Sequence, residues 1–448
     1  MNVKGKKVLV FGSGISGEAA AALLYDQGAD VLLYDGNEKL DVEKIRKKIP
    51  AGAEIVLGAF PEEILDEISL VVMSPGVPTD LPVVEKMKNL SIPVWGEIEL
   101  AYTYAKGDVL AITGTNGKTT TTTLLGEIMN RAADSVFVVG NIGTPYTGIA
   151  SHTDENSVIV AEVSSFQLET IHAFRPRVSA ILNITPDHLN RHHTMEAYIA
   201  AKERIAENQT SGDYCVLNYE DEVLRGFGES TAAQVLYFSS RRKLNRGVYL
   251  DGDSIICCID EPVVVCKTKE LQILGTHNYE NVMAAVAMAY AYGVPIDTIR
   301  EALRAFRGVE HRIEYVAEKN GVAYYNDSKG TNPDAAIRGI QAMNRPTILI
   351  GGGYDKDSSY DEWIRAFDGK VKKLVLLGAT RQKIAETAGK LGFTDIVMAD
   401  TFEEAFEKCV EYAVPGDAVL LSPACASWGM FKNYEERGDK FKELVEQL

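Results

Sequence analysis

Short runs of apolar residues alternate with helix-type segments along most of the chain. Near the start, KKVLVFG (6–12) and DVLLYD (30–35) predict two strands that flank an alanine-rich helix ending at Gly28. Three later segments also begin as apolar strands and end in polar residues: 136–145, 158–169 and 178–192. Strands that alternate with helices in this way favour parallel sheets with helices on both faces. We therefore expect an α/β protein.

The same alternation divides the chain into three predicted domains: 1–96, 97–308 and 309–448. We expect the first and third to be Rossmann-like, and the central one to be a P-loop NTPase-like parallel sheet. Within the central domain, alternating segments from Val235 to Thr268, with a turn at 251–253, predict a small antiparallel subsheet.

Helical periods appear in three other places. MEAYIAAKERIAEN (195–208) predicts an amphipathic helix, and its period places Lys202 on the solvent side. LGTHNYENVMAAVAMAYAYG (274–293) predicts another helix, with Asn281 in its first turns. The C-terminal tail predicts an amphipathic helix that is broken at Gly438.

A glycine turn follows the strand at the start of VLAITGTNGKTTTTTLL (109–125) and leads into a helix. Gly114 and Gly117 allow a tight turn that brings backbone N–H groups to a ligand. Lys118 supplies a positive charge and Thr119 a hydroxyl for a metal ion, which together favour a polyphosphate site. The spacing G-x-x-G-K-T is shorter than the general P-loop pattern. The alternative interpretation is therefore a strand–helix turn in which the lysine occurs by chance and binds no phosphate.

A second glycine turn, GSGISG (12–17), follows the first predicted strand. Asp35 ends the next strand, 18 residues after Gly17. Strand, G-x-G-x-x-G, helix, strand and acidic residue together match the dinucleotide-binding fingerprint, which indicates a nucleotide without saying which one. LVVMSPG (70–76) predicts a strand that runs into a tight loop at the rim of the same cleft.

Polar residues follow the central strands, and the carboxyl ends of parallel strands are where ligands bind. We therefore expect six of them to gather over the P-loop: Asn141, Glu162, Ser164, Ser165, Asp187 and His188. Mg²⁺ prefers oxygen ligands, which Glu162 and Thr119 can provide. Taken alone, Glu162 could instead be a carboxylate on the protein surface. His188 could instead be a histidine that caps a helix or packs in the core.

Composition narrows the classes of function. The chain of 448 residues has 46 Lys and Arg against 63 Asp and Glu, a net charge of −17, which argues against nucleic-acid binding. Six cysteines without C-x-x-C spacing indicate neither a zinc site nor a disulfide framework. The N-terminal apolar run is too short for a signal peptide, and no apolar stretch is long enough to insert in a membrane. We expect a soluble, cytoplasmic monomer.

Two phosphate-binding turns on separate domains, with polar loops on a third, indicate three ligands. These are a nucleoside triphosphate, a nucleotide-bearing substrate and a smaller molecule. A ligase uses all three, whereas a simple NTPase has no use for the first domain and a dehydrogenase none for the P-loop. A nicotinamide- or nucleotide-sugar oxidoreductase built on the first domain is the alternative from another class.

Eight motifs resemble those of the Mur ligases: TGTNGKTTT (113–121), GNIGTP (140–145), EVSSFQLE (162–169), NITPDHLNRH (183–192), HNYEN (277–281), HR (311–312), NDSKGTN (326–332) and LSPACASW (421–428). The resemblance covers essentially the whole chain in collinear order. The G-x-G-x-x-G start and the SPACASW…FKNYEERGDKF ending resemble the members that add D-glutamate. Members that add L-alanine have a similar first domain and stay open as an alternative, whereas folylpolyglutamate synthetase shares only the P-loop domain.

The resemblance implies ATP-dependent addition of D-glutamate to UDP-N-acetylmuramoyl-L-alanine in peptidoglycan precursor synthesis. The substrate carboxylate would attack the γ-phosphate of ATP to give an acyl phosphate. The amine of D-glutamate would then attack the carbonyl carbon, and phosphate would leave from a tetrahedral intermediate. This chemistry depends on positioning and charge neutralisation. We also expect a large hinge motion of the third domain, which binds D-glutamate and closes on ATP.

The resemblance assigns catalytic and metal-binding roles as well. The expected catalytic residues are Lys118, Glu162, His188 and Lys202. Two Mg²⁺ ions are expected, one held by Thr119 and Glu162 and the other by His188 and a carbamylated Lys202. The resemblance thus reverses the solvent-side interpretation of Lys202.

Three sets of binding residues follow from the same resemblance. The residues expected at ATP are Gly114, Thr115, Asn116, Gly117, Lys118, Thr119, Thr120, Asn278, Asn281, Arg312 and Asp327. Those expected at the UDP-linked substrate are Ser13, Gly14, Ile15, Ser16, Asp35, Ser74, Asn141 and His188. Those expected at D-glutamate are Lys329, Thr331, Lys356, Ser422 and Trp428. The chain departs from the common family pattern at Asn190, Gly330 and Gly429.

Overall fold

The computed structural model describes residues 2–448, which form two compact units. One unit contains the chain up to Lys267 together with Glu280–Leu303, and the other contains Thr268–Tyr279 together with Arg304–Leu448. The first unit holds two sheets and the second holds one. The predicted α/β class, with three largely parallel sheets, is confirmed. Along residues 2–448, no helix has both the length and the apolar character needed to cross a membrane.

Parallel strands and intervening helices build the N-terminal sheet. Its elements are β1 (Lys7–Phe11), α1 (Ile15–Asp26), β2 (Asp30–Asp35), α2 (Val42–Arg46), β3 (Glu54–Leu57), β4 (Ile68–Met73), α3 (Pro82–Asn89), β5 (Val94–Gly96) and α4 (Glu97–Tyr104). The strand order is β3-β2-β1-β4-β5, all parallel. Strands β1, β2 and β4 are almost wholly buried, which explains their continuous apolar sequences. The order reverses between β1 and β4, the position where such sheets bind ligands.

The central sheet has nine strands. Its elements are β6 (Asp108–Thr113), α5 (Lys118–Ala132), β7 (Val136–Gly140), β8 (Val158–Glu162), α6 (Ser165–Leu168), β9 (Val178–Ile181), α7 (Leu189–His192), α8 (Met195–Glu203), β10 (Tyr214–Asn218), α9 (Glu222–Gly228), β11 (Gln234–Ser239), β12 (Gly247–Asp251), β13 (Ser254–Cys258), β14 (Val263–Lys267), α10 (Thr276–Tyr292) and α11 (Ile296–Ala305). The order is β14-β13-β12-β11-β10-β9-β6-β8-β7. The P-loop strand β6 thus lies between β8 and β9, whose ends carry the predicted polar residues.

The antiparallel part of this sheet is smaller than predicted. Strand β11 pairs in parallel with both β10 and β12, and only β12, β13 and β14 are antiparallel. Helix α9 connects β10 to β11, and a helical crossover joins parallel strands. Alternation in the sequence could not reveal this direction. The predicted turn at 251–253 does join β12 to β13.

The second unit contains a six-stranded sheet. Its elements are β15 (Glu314–Lys319), β16 (Val322–Asn326), α12 (Pro333–Ala342), β17 (Thr347–Gly351), α13 (Asp361–Arg365), β18 (Val371–Leu376), α14 (Arg381–Lys390), β19 (Ile396–Met398), α15 (Phe402–Tyr412), β20 (Ala418–Leu421) and α16 (Tyr434–Glu446). The order is β15-β16-β20-β17-β18-β19, with β15 alone antiparallel to its neighbour.

The predicted break at Gly438 is wrong, because α16 continues through that residue. A Cβ atom at Gly438 would lie 2.2 Å from Nδ1 of the buried His311. The glycine therefore permits close packing of the helix and does not interrupt it.

Helix α4 ties the N-terminal sheet to the central sheet. The buried Glu99 carboxylate accepts three backbone N–H bonds, from residues 172–174, at 2.8–3.0 Å. Glu97, equally buried, accepts from the N–H and hydroxyl of Thr147 at 2.7 and 3.0 Å. Hydrogen bonds to charged groups are the stronger kind, so the two sheets have a firm connection.

Candidate functional site

The glycine turn between β6 and α5 is held from the side by the segment after β9. The backbone N–H of Thr115 donates to the Asn183 carbonyl at 2.9 Å, and that of Asn116 donates to the Asn183 side chain at 2.8 Å. Gly114 and Gly117 have φ of +149° and +85°, which only glycine adopts freely. Among the described residues, no side chain caps the first turn of α5. Uncapped N–H groups at a helix start favour an anion.

Other predicted ATP residues lie close to this turn. A Cβ atom at Gly117 would lie 2.2 Å from Oδ1 of the buried Asn281, so this residue of α10 packs on the glycine. Thr119 is half-buried and Thr120 is buried in the first turn of α5. The structure thus brings Asn281 to the P-loop, and its contact with ATP stays a prediction.

Two lysines converge on the same turn. The ammonium groups of Lys118 and Lys202 each donate to the Gly114 carbonyl oxygen at 2.8 Å, and Lys118 also donates to the Thr115 carbonyl at 2.9 Å. Lys202 is only 1% exposed, so the solvent-side position expected from helical periodicity is wrong. The inner face of α8 carries Tyr198, Ala201 and Lys202, and the Tyr198 hydroxyl lies 3.0 Å from that of Thr115.

Burial lowers the pKa of Lys202 to about 7, and the nearby charge of Lys118 acts in the same direction, whereas Asp187 opposes it. An ammonium group shielded from water loses its hydration, which favours the neutral amine. Near neutral pH, a substantial fraction of Lys202 is therefore a nucleophilic amine.

Glu162 ends β8 with its carboxylate buried at 1% exposure. One oxygen, Oε1, accepts from the Asn141 side chain at 2.8 Å. The other, Oε2, has no hydrogen-bond partner within residues 2–448. A buried carboxylate oxygen without a partner is costly, and a cation is a ligand that satisfies it. The donor set therefore fits Mg²⁺, and the surface-carboxylate alternative for Glu162 is wrong.

His188 precedes α7 with φ of +52° and a side chain that is 50% exposed. Its ring lies 4.9 Å from that of Phe166, and among the described residues it makes no side-chain capping bond to α7. Neither the core nor the capping alternative applies to His188. Its Nε2 lies 3.5 Å from Asp187 Oδ2, and half of the side chain is open to a ligand.

The N-terminal glycine turn has a different construction. A Cβ atom at Gly17 would lie 1.8 Å from the Gly12 carbonyl oxygen, and the Ser74 hydroxyl donates to that oxygen at 3.2 Å. At Gly14, in contrast, a Cβ atom would have nothing within 4 Å, and Ile15 is 68% exposed. The turn is therefore rigid on its inner side and open on its outer side.

Asp35 is tied to this turn. Its Oδ2 accepts from the Ser13 N–H at 2.9 Å and from the Ser13 hydroxyl at 2.7 Å. Burial raises the pKa of Asp35, but the two donors of Ser13 and the N–H of Asn37 outweigh it and hold the pKa below its ordinary value. Ser16, which is also predicted at the UDP-linked substrate, is half-buried at the start of α1.

In the second unit, Asp327 and Ser422 form one buried pair. The Ser422 hydroxyl donates to Asp327 Oδ2 at 2.6 Å, and the Ile313 N–H donates to Oδ1 at 3.3 Å. Burial raises the pKa of Asp327 to about 7, while Ser422 and the nearby Arg312 and Arg437 oppose it. Arg312 itself is exposed. The residue predicted at ATP and the residue predicted at D-glutamate are thus neighbours.

Other predicted D-glutamate residues form two cation–aromatic contacts in this unit. The Lys356 ammonium lies 5.1 Å from the ring centre of Trp428, which is 53% exposed, and that of Lys329 lies 5.4 Å from Tyr434. Half-buried Thr331 donates its N–H to the Lys329 carbonyl at 2.8 Å.

Asn278, which is predicted at ATP, is buried in the same unit. Its side-chain amide donates to the Leu274 carbonyl at 2.8 Å.

The sequence did not reveal one buried cation of this unit. Arg437 is 1% exposed and donates to the Ser328 hydroxyl and carbonyl and to the Cys425 carbonyl at 2.8–3.2 Å. It thereby joins the loops that carry Asp327 and Ser422. Nothing in the charged pattern of α16 distinguishes this arginine from its solvated neighbours.

Comparison with known proteins identifies the family. Three family models match the chain: the Mur ligase MurD-like N-terminal domain over residues 6–96, the Mur ligase middle domain over 112–289, and the Mur ligase glutamate ligase domain over 311–425. A relative from Lachnoclostridium phytofermentans is 60% identical over 451 residues, which cover 100% of this chain and 99% of the relative. The chain belongs to the Mur ligase family.

That Mur ligase relative is named UDP-N-acetylmuramoylalanine–D-glutamate ligase, and so is one from Lachnospira eligens, 58% identical over 100% of both chains. Two solved Mur ligase structures share the fold. MurF from Acinetobacter baumannii has a TM-score of 0.61 at 17% identity, covering 98% of this chain and 93% of that one. UDP-N-acetylmuramate–alanine ligase from Thermotoga maritima has a TM-score of 0.58 at 20% identity, covering 99% of each.

Proposed function

We propose that this Mur ligase uses ATP to join D-glutamate to UDP-N-acetylmuramoyl-L-alanine in peptidoglycan precursor synthesis. The names of relatives that are 60% and 58% identical over the full chain support this reaction and these substrates. The geometric observation that carries the proposal is the convergence of Lys118 and Lys202 on the Gly114 carbonyl oxygen, at the uncapped start of α5. The positive charge of Lys118 at a helix N-terminus suits a phosphoryl group in transfer, and the Lys202 amine lies beside it.

In the first step, the L-alanine carboxylate of the substrate attacks the γ-phosphate of ATP, and ADP leaves. The Lys118 ammonium, with the backbone of the P-loop (114–117) and the start of α5, neutralises charge on the transferred group. The product is an acyl phosphate. The D-glutamate amine then attacks its carbonyl carbon, and phosphate leaves from the tetrahedral intermediate as the amide forms.

We place two Mg²⁺ ions at this site. Thr119 and the unpartnered Oε2 of Glu162 would hold one ion, and His188 and a carbamylated Lys202 would hold the other. When bound, Mg²⁺ supplies further charge neutralisation at the phosphate oxygens. The proposal is supported by a buried carboxylate oxygen that is without a partner in residues 2–448 and by an imidazole that is half exposed.

The environment of Lys202 supports its carbamylation. The neutral amine, favoured by burial, attacks the carbon of CO₂, and the new N–C bond forms as the nitrogen loses a proton. The product is an anion with two oxygens, which suits Mg²⁺ better than an ammonium does. It also relieves the repulsion between two adjacent ammonium groups.

The remaining contacts divide between the two units. We assign the UDP-linked substrate to the crevice of the N-terminal sheet, with Gly14, Ile15 and Ser16 at the diphosphate and uracil, and with Asp35, Ser74 and Asn141 beside it. In the second unit we assign Asn278, Arg312 and Asp327 to ATP. The D-glutamate site would comprise Lys329, Thr331, Lys356, Ser422 and Trp428. The cytoplasmic location and monomeric state stay predictions from the sequence.

Inorganic phosphate release tests the proposal. The purified chain is mixed with ATP, Mg²⁺, UDP-N-acetylmuramoyl-L-alanine and each amino acid of a panel. We expect release with D-glutamate and none with L-glutamate or L-alanine. Release with L-alanine and UDP-N-acetylmuramate would instead assign the chain to the L-alanine-adding reaction. A nicotinamide absorbance change without phosphate release would contradict both.

A further inference from the structure

The turn that carries His188 is held in a strained conformation. Helix α7 has a single turn, and the residues on either side of it, His188 and His193, have φ of +52° and +64°. Residues other than glycine adopt this left-handed backbone conformation at a cost in free energy, and surrounding contacts must offset that cost. The contacts of α7 therefore determine where the His188 ring lies.

Arg191, inside this turn, makes the strongest of these contacts. Its guanidinium donates to Glu169 Oε2 at 2.7 Å and to Oε1 at 3.3 Å, and also to the Val77 carbonyl at 3.1 Å. The two charged side chains are only 12% and 16% exposed. A shielded two-pronged arginine–carboxylate pair is stronger and more directional than a surface ion pair.

Glu169 receives a further bond from the N-terminal domain. The Thr79 hydroxyl donates to its Oε2 at 3.0 Å, and His192 Nδ1 lies 3.5 Å from its Oε1. Val77 and Thr79 belong to the loop that follows β4 and begins at Ser74. One ion pair thus connects the loop beside the UDP-substrate crevice to the turn that carries His188.

The same guanidinium also supports the His188 ring. It lies 5.0 Å above the ring centre of Phe166, whose centre is 4.9 Å from that of His188. Arg191 and Phe166 line a small cavity, together with Ser74, Val77 and Gln167. Arg191 therefore contacts both the cavity and the aromatic ring that packs beside His188.

We propose that Arg191 is a positioning residue for the reaction given under Proposed function, on which this inference rests. Through Phe166 it fixes the ring of His188. Through Glu169 and the Val77 carbonyl it fixes the 74–80 loop, which forms the wall of the UDP-substrate site. The UDP-linked substrate and His188 are aligned by the same guanidinium.

Kinetics with all three substrates test this role. For Arg191→Ala we expect KM for the UDP-linked substrate to rise about tenfold and kcat to fall about tenfold, because misplacement of about 1 Å costs that much or more. KM for ATP and for D-glutamate should stay within about twofold. The kcat and KM of Arg191→Lys should lie between those of the unaltered protein and Arg191→Ala, because a lysine keeps the charge but lacks the planar, two-pronged donor group of arginine. Equal losses for all three substrates, or an unchanged KM for the UDP-linked substrate, would overturn the proposal.

Arg131→Ala is the matched control. Arg131 forms an arginine–glutamate pair on the surface of α5, with Glu127 at 3.1 Å, and neither side chain lines the cavity. We expect its kinetic constants to match those of the unaltered protein, because surface pairs contribute little.

A second readout does not depend on turnover. The chain has seven histidines, so histidine-selective labelling gives few imidazole NMR signals. In Arg191→Ala the His188 and His192 signals should move, whereas the signal of His152 should not. Thr79→Val removes the hydroxyl that donates to Glu169 and should move the same two signals by a smaller amount. This variant replaces Arg191→Ala in the test if Arg191→Ala does not fold. A His188 signal that stays in place in both variants would overturn the inference. Failure of the unaltered protein to release phosphate with D-glutamate would contradict only the proposed function.

Discussion

The two glycine turns of the first unit both connect a strand to a helix, and they differ in charge. Each follows a buried parallel strand and leads into a helix, at Gly12–Gly14 before α1 and at Gly114–Gly117 before α5. Both helices have a glycine at the N-cap, Gly14 and Gly117, and in the described chain neither cap is formed by a side chain. Each turn thus presents backbone N–H groups to an anion.

The side chains around the two turns have opposite signs. The first turn of α1 contains Glu18, and Asp35 bonds to Ser13 within the glycine turn. The first turn of α5 contains no acidic residue in the described chain, and Lys118 and Lys202 both donate to Gly114. The backbone alone is therefore the anion-binding element at the first turn, whereas the second adds the ammonium group of Lys118.

This difference separates holding a phosphate from transferring one. A diphosphate that is only bound keeps its charge, and a few N–H groups are enough to orient it. A phosphoryl group in transfer needs its spreading charge neutralised in the transition state. The difference between the turns supports our proposal that the UDP-linked substrate binds at the first turn and the reacting end of ATP at the second.

The largest effect should come from removing the cation of the second turn. We expect Lys118→Ala to lower kcat by about 10³-fold, because a donor aimed at developing charge in a closed site is worth that much. Steady-state phosphate release, with thermal unfolding to check the fold, measures it. A loss below about tenfold would contradict the charge argument.

Lys202 should come next. We expect Lys202→Arg to lower kcat about a hundredfold, because an arginine keeps the charge and cannot form the carbamate. ¹³C NMR with labelled bicarbonate should show a carbamate signal in the unaltered protein and lose it in the variant. A signal that persists in Lys202→Arg would show that the carbamate forms at another amine.

The pH dependence of that signal has a definite sign. With a pKa of about 7, Lys202 is protonated and unreactive below that pH and neutral above it. The carbamate signal should therefore rise as the pH increases through 7, while exposed lysines stay protonated until near 10.4. A signal that does not change from one unit below the pKa to one unit above would contradict the effect of burial.

How far the sequence could predict these sites depends on the kind of contact. Both glycine turns and the strands before them were predicted, because turn and strand preferences are local. Helical periodicity placed Lys202 in solvent, because the pattern treats every lysine as a polar surface residue and contains no information about the segment that packs against it. Asp327 and Ser422 are 95 residues apart, and their hydrogen bond had no signal in either segment. Arg191 was not selected either, because its partners lie in other elements.

A smaller effect should follow at the first turn. Asp35→Asn keeps the shape of the side chain but removes the charge that accepts two bonds from Ser13. We expect KM for the UDP-linked substrate to rise about tenfold, since charge-assisted hydrogen bonds contribute about 1.5–3 kcal/mol. The constants kcat and KM for ATP should be unchanged. A fall in kcat with constant KM would place Asp35 at the reacting group instead.

The smallest change tests which ligand reaches the first turn. Gly14 has φ of −75°, and an added Cβ would meet nothing within 4 Å, so Gly14→Ala should fold and lower the melting temperature only slightly, because alanine is a poorer N-cap residue. Because a diphosphate lies against this backbone in our assignment, the added methyl should raise KM for the UDP-linked substrate about threefold. Gly389→Ala in α14, where an added Cβ also meets nothing, is the control and should change neither KM. If Gly14→Ala instead raised KM for ATP, the assignments of the two turns would have to be exchanged, and the charge difference between them would need another explanation.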